Sequence, residues 1–85
     1  MQIQLKFFAS LREAVGTGSE SLTVPADIQT AGQLREFLRA RGGVWADALA
    51  EGRALRIAVN QQMADASAAL SDGCEVAFFP PVTGG

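Results

Sequence analysis

Only one stretch of this chain has helical spacing long enough to cover a sheet, and the segments on both sides of it alternate instead. Ala31, Leu34, Phe37, Leu38 and Arg41 recur at three- and four-residue intervals, the period of a helix with one buried face. The Thr30 hydroxyl stands where a cap belongs, with Gln33 placed as its reciprocal partner, and Gly42-Gly43 are expected to end the run. One such helix cannot make a bundle. It has to lie against strands.

The strands are legible as period two. Between Gln2 and Phe8, Ile3, Leu5 and Phe7 share one face while Gln2, Gln4 and Lys6 share the other, a half-buried strand. Ser10-Leu11-Arg12-Glu13 reads as a capping box opening a short helix that Gly16 closes. Glu20 to Val24 is a second short strand, stopped by Pro25, and Trp45 to Ala50 is a second short helical piece broken by Gly52. Leu55, Ile57 and Val59 form a third strand, with Arg56, Ala58 and Asn60 opposite. A short edge strand is expected around Met63, a turn at Ser71-Asp72-Gly73, and a last strand from Glu75 to Phe79. The expectation is an α+β roll: a mixed sheet of four to five strands packed on one main helix. Residues 1–79 form the domain and 80–85 an extended tail.

Composition removes several function classes. A chain of 85 residues buries only about 60–65% of its unfolded surface, and one cysteine with no histidine offers neither an internal disulfide nor a zinc cluster. It must fold on packing, for which 48% apolar residues suffice. No metal site is expected. Nine acids outnumber seven Lys and Arg, which argues against nucleic acid as a partner. Arg35 and Arg39 share a helix face and read as solvated surface. No signal peptide or membrane span is apparent, and a lone cysteine suits a reducing cytoplasm. Without His or Tyr the acid–base repertoire is poor, and Cys74, on the inward face of its strand, reads as a buried thiol. An enzyme acting alone is not expected.

Parity exposes what the core leaves over. Val76 and Phe78 share the inward face with Cys74, so Phe79 points the other way with Glu75 and Ala77, and Phe8 falls outside the first strand's core face. Phe8, Met63 and Phe79 are therefore expected to form one apolar patch beside the base of the tail. In that tail Pro80 and Pro81 favour an extended path. Val82 and Thr83 offer two side chains to a groove, and Gly84 and Gly85 can pass a constriction closed to any residue with a Cβ. Six extended residues reach about 20 Å, far enough to enter another protein's active site. The reactive group there is the terminal carboxylate of Gly85. Free carboxylate is inert to nucleophiles, so its use requires activation by a nucleotide, and no phosphate loop is present in this chain.

Three segments, IQLKFFASLREAVG, LRIAVNQQM and CEVAFFPPVTGG, together resemble the small, sulfur-carrying subunit of molybdopterin synthase, and the likeness covers essentially the whole chain. The resemblance implies a ubiquitin-like β-grasp fold and a mechanism. An E1-like enzyme would adenylate Gly85 with MgATP, and sulfur from a donor system would displace AMP to give a thiocarboxylate. The tail, Pro80 to Gly84, would then deliver that sulfur inside the large subunit to cyclic pyranopterin monophosphate. Phe8, Met63 and Phe79 fall where that family makes apolar contacts with its partners. On this reading the chain binds no cofactor itself; ATP and Mg belong to the activating enzyme. A thiamine-pathway sulfur carrier and a ubiquitin-like protein modifier joined through Gly85 are the competing readings.

Overall fold

In a computed structural model, which describes residues 1–81, the alternating segments join in one five-stranded mixed sheet. Strands and helices follow the order β1 (Gln2–Phe7), α1 (Ala9–Val15), β2 (Ser19–Thr23), α2 (Ala31–Arg39), α3 (Gly43–Ala48), β3 (Arg56–Val59), β4 (Gln62–Ala64) and β5 (Cys74–Phe79). Across the sheet the order is β2-β1-β5-β3-β4. The first and last strands lie side by side and parallel at its centre, and every other pairing is antiparallel. Parallel neighbours cannot be joined by a hairpin; here all the other elements, from α1 to β4, lie between the two in sequence. The end of β5, with Pro80 and Pro81 behind it, therefore leaves from the middle of the sheet.

One face of the sheet carries the core. Ile3 and Leu5 from β1, and Val76 and Phe78 from β5, are fully buried against Leu34 and Leu38 of α2. Phe7 stacks on Phe78 with ring centroids 6.1 Å apart and meets Trp45 of α3 edge-on at 5.4 Å, so the short third helix closes one end of the same core. Cys74 is buried there as well.

The main helix begins as its sequence requires. Thr30 accepts from the Gln33 amide at 3.2 Å, and the Gln33 side chain accepts in return from the Thr30 amide at 3.1 Å. The next two amides, of Ala31 and Gly32, donate to the carbonyls of Ala68 and Ala66, so every donor of the first turn is satisfied. Gly32 is needed for that approach: a Cβ would stand 3.0 Å from the Ala66 carbonyl oxygen.

Other local expectations need correction. The Ser10 to Glu13 capping box does not form. Helix α1 starts at Ala9, its cap is Phe8 in extended conformation with no side-chain hydrogen bond, and Ser10 already lies inside the first turn. Gly16 does close α1, in the left-handed conformation at φ 80°. Gly42 and Gly43 do not end α2, which stops at Arg39; with φ of 77° and 54° they turn the chain into α3 instead. Strand β5 begins one residue earlier than expected, at Cys74.

Arg35 is not plain solvated surface. Its guanidinium donates to the carbonyls of Leu49 and Ala50 and so fastens the open end of α3 to α2, while Arg39 pairs with Glu36. Arg41 forks onto the Glu20 carboxylate and lies 4.5 Å from the Trp45 ring centroid, tying β2 to the same corner. That hydrogen bond, reinforced by the cationic charge, holds the Glu20 carboxyl below its ordinary pKa against a smaller opposing effect of burial.

Strands β3 and β4 form a two-residue hairpin through Asn60 and Gln61, both with positive φ (50° and 67°). Such a turn matches strand twist but favours Gly at its second position; glutamine there sits in a sparsely populated region. Gln61→Gly is expected to stabilise the domain by about 0.5–1 kcal/mol, the relieved strain exceeding the added unfolded-state entropy. Thermal denaturation checks this as a rise of a few degrees, and a fall in the midpoint would contradict it.

Candidate functional site

Among the described residues no helix lies on the face of the sheet opposite α2. Its outward residues run in rows that follow from register: Lys6 of β1 stands beside Ala77 of β5, Ala77 opposite Ala58 of β3, and Ala58 opposite Met63 of β4. One row nearer the tail, Phe79 stands opposite Arg56. Ala58 and Ala77 are both buried although they face outward. Being small, they sink below their larger neighbours and leave an open concavity of about 630 Å³, lined by Lys6, Phe8, Arg12, Glu75 and Phe79 among others.

Phe8 and Phe79 meet at the rim. Their ring centroids are 6.5 Å apart in an edge-on arrangement. Phe8 is 49% exposed, because its place as the cap of α1 puts it beyond the core row of β1; Phe79 is half-buried. Together with Ala9 and Pro80 they enclose a second hollow of about 340 Å³ at the root of the tail. Ala9 holds a positive φ of 54°, an uncommon state for a residue with a side chain, at the bend between β1 and α1.

Met63 is 64% exposed on the edge strand. It shares the open face with Phe79 but is separated from it by β3, and it borders a different depression with Gln62 and Asp65. The expected single patch is thus an aromatic pair plus an outlying methionine, joined by an alanine floor. Pro80 and Pro81 continue from β5 without regular structure, both partly covered. Val82, Thr83, Gly84 and Gly85, expected to form the channel-filling segment and its reactive end, lie outside the described residues.

The alanines of the floor and the cations of the rim were not singled out from the sequence, although the parity that placed Phe79 outside places Ala77 with it, and Arg56 with Ala58. Small size hid them: an alanine contributes little area, yet its size is what makes a depression. Among the described residues no cluster of three or more His, Cys, Asp or Glu gathers as a metal site would require, and no helix is long and apolar enough to cross a membrane.

Comparison with known proteins places this architecture. The chain matches the ThiS family over residues 5–85. It is 48% identical over 83 residues to the molybdopterin synthase sulfur carrier subunit of Escherichia coli K12, covering 98% of this chain and 99% of that one. It is 41% identical over the same length to the subunit so named from Haemophilus influenzae, again 98% of this chain and 99% of the other. Among solved structures, SAMP1 from Haloferax volcanii superposes with a TM-score of 0.76 at 26% identity, over 100% of both chains. The chain belongs to the ThiS family of ubiquitin-like β-grasp proteins. Two relatives matched over nearly their full length, at 48% and 41% identity, are sulfur-carrier subunits of molybdopterin synthase.

Proposed function

We propose that this chain is a sulfur carrier in molybdenum cofactor biosynthesis, working as the small subunit of a molybdopterin synthase. The observation that carries the reading is the end-to-end similarity, at 48% identity, to a protein of that role. The fold is consistent with it: the central strand β5 ends at Phe79, which pairs with the exposed Phe8 on the open face at the root of the tail.

The chemistry follows from the terminal carboxylate. Its attack on the α-phosphate of MgATP, in an E1-like activating enzyme, gives an acyl adenylate and releases pyrophosphate. Hydrosulfide, or a donor persulfide whose S–S bond a thiol then reduces, adds to the acyl carbon and expels AMP, a far better leaving group than oxide, to leave a Gly85 thiocarboxylate. That group is ionised at neutral pH and carries a soft nucleophilic sulfur. Inside the large subunit it transfers sulfur towards the dithiolene of molybdopterin, and hydrolysis returns Gly85 as carboxylate. A dithiolene needs two sulfurs, so two carriers or two passes are required. The chain contributes the carried atom and the docking face; catalytic groups belong to the partners.

Pro80 and Pro81 direct the tail, Val82 and Thr83 occupy the partner's channel, and Gly84 admits Gly85 to its end. Phe8, Phe79 and Met63 serve the docking, with the aromatic pair next to the tail as its anchor. Likeness to SAMP1, named a small archaeal modifier protein, favours the protein modifier as a second reading, and the breadth of the ThiS family keeps a thiamine-pathway carrier in the comparison.

One incubation separates these. With ATP, a sulfur donor and the activating enzyme, intact mass is expected to rise by about 16 Da as sulfur replaces oxygen at the terminus. The product is expected to convert cyclic pyranopterin monophosphate when the large subunit is added. Adducts on lysines of other proteins, without such conversion, would support the modifier instead.

A further inference from the structure

Seven cationic side chains are present, and the fold uses them unevenly. Arg39, Arg41 and Arg53 face the carboxylates of Glu36, Glu20 and Asp47, and Arg35 is taken up by backbone carbonyls. Lys6, Arg12 and Arg56 have no carboxylate partner among the described residues. All three border the open face. Lys6 and Arg12 line the concavity at the end nearer β2, and Arg56 stands opposite Phe79 on the same face.

Arg12 is seated rather than loose. A Cβ added at Gly18 would fall 3.0 Å from its Nε and 3.3 Å from its Cδ and Cζ, so the side chain rests in the space a bare glycine leaves. It packs without an acid to hold it. Glu75 is the single carboxylate lining the concavity; the other eight acids lie elsewhere, and the chain's net charge is −2. An acidic chain that, among the described residues, leaves its unpaired cations around an open concavity with an alanine floor has a charge pattern fitted to an acidic protein surface. A polyanion such as nucleic acid would meet the remaining acids and gain nothing from the alanine floor.

We propose that the docking partner presents an apolar side chain flanked by carboxylates. The apolar group seats on Ala58 and Ala77 against Phe79, and the carboxylates meet Arg12 and Lys6 on one side and Arg56 on the other. This rests on the docking role assigned above and adds the partner's charge. Rim charges act mainly on encounter, whereas a buried aromatic anchor acts on residence. The two contributions are therefore separable by kinetics.

The test measures association and dissociation of the full chain with the purified large subunit of a molybdopterin synthase, at 50 and 500 mM NaCl. The unaltered chain is expected to associate at least about tenfold more slowly at the higher salt. The double variant Arg12→Glu/Arg56→Glu is expected to associate about 10–100-fold more slowly at 50 mM, with a flattened salt response and a nearly unchanged dissociation rate. Both positions are exposed, and the neutral pair Arg12→Gln/Arg56→Gln, expected to fall between, supplies a milder change should the reversal disturb folding. Phe79→Ala is expected to speed dissociation while keeping the salt response. If Phe79→Ala weakens the complex but both charge variants associate as the unaltered chain does, the face docks and the acidic partner is wrong. If Phe79→Ala has no effect, the docking role itself is wrong.

Discussion

Phe78→Ala is expected to cost the domain about 4–5 kcal/mol, a third or more of its stability. The ring is fully buried, lies on one of the two central strands, and stacks on Phe7, which in turn braces Trp45. Truncating a buried phenylalanine costs about 3–5 kcal/mol through lost transfer energy and the cavity left behind. A domain of this size is held by about 4–13 kcal/mol in all, and here no disulfide reinforces it. Two neighbours lose their packing together, so the upper half of the range is expected. Urea denaturation with the slope held in common checks this; a loss below about 1 kcal/mol would mean that the core closes around the gap.

The same change one residue later should behave differently. Phe79 faces outward, half-buried, and its ring meets only the exposed Phe8 edge-on among the aromatic contacts. Phe79→Ala is expected to shift stability by about 1 kcal/mol or less, yet to weaken binding to the large subunit by about 2–4 kcal/mol, the range of an interface anchor. In affinity that is about 30–1000-fold. Calorimetric titration beside a thermal melt reads both quantities on one preparation. Equal losses of stability at Phe78 and Phe79 would show that the residues are not divided between core and surface.

That division was legible in the sequence because a strand's period of two leaves no intermediate choice. Once Ile3, Leu5 and Phe7 occupy the core face, and Val76 and Phe78 likewise, Phe8 and Phe79 fall outside it, and the exposures agree. The Thr30–Gln33 cap was legible for a similar reason: both partners are local, and the pattern names both. Boundaries governed by tertiary contact were not. Ser10 and Glu13 satisfy the same short pattern, but β1 ends at Phe7 and the turn through Ala9 begins α1 too early for Ser10 to cap it. Gly42 and Gly43 looked like a stop because nothing local shows that α3 starts there. Arg35 read as surface because its acceptors, Leu49 and Ala50, are distant in sequence. The Asn60–Gln61 turn lacked the glycine that usually announces it. On the open face, parity marks the large residues Phe8 and Phe79 and passes over the small ones, since Ala58 and Ala77 matter through the volume they leave empty.

If the domain serves to present one terminal carboxylate, removal of Gly85 should abolish its function and spare its fold. The shortened chain is expected to melt with the unaltered one, since residues 1–79 supply the whole described sheet and core. In a reconstituted reaction with activating enzyme, ATP, sulfur donor and large subunit, it is expected to gain no sulfur and form no molybdopterin. A chain lacking Gly85 that still supports synthesis would contradict the account.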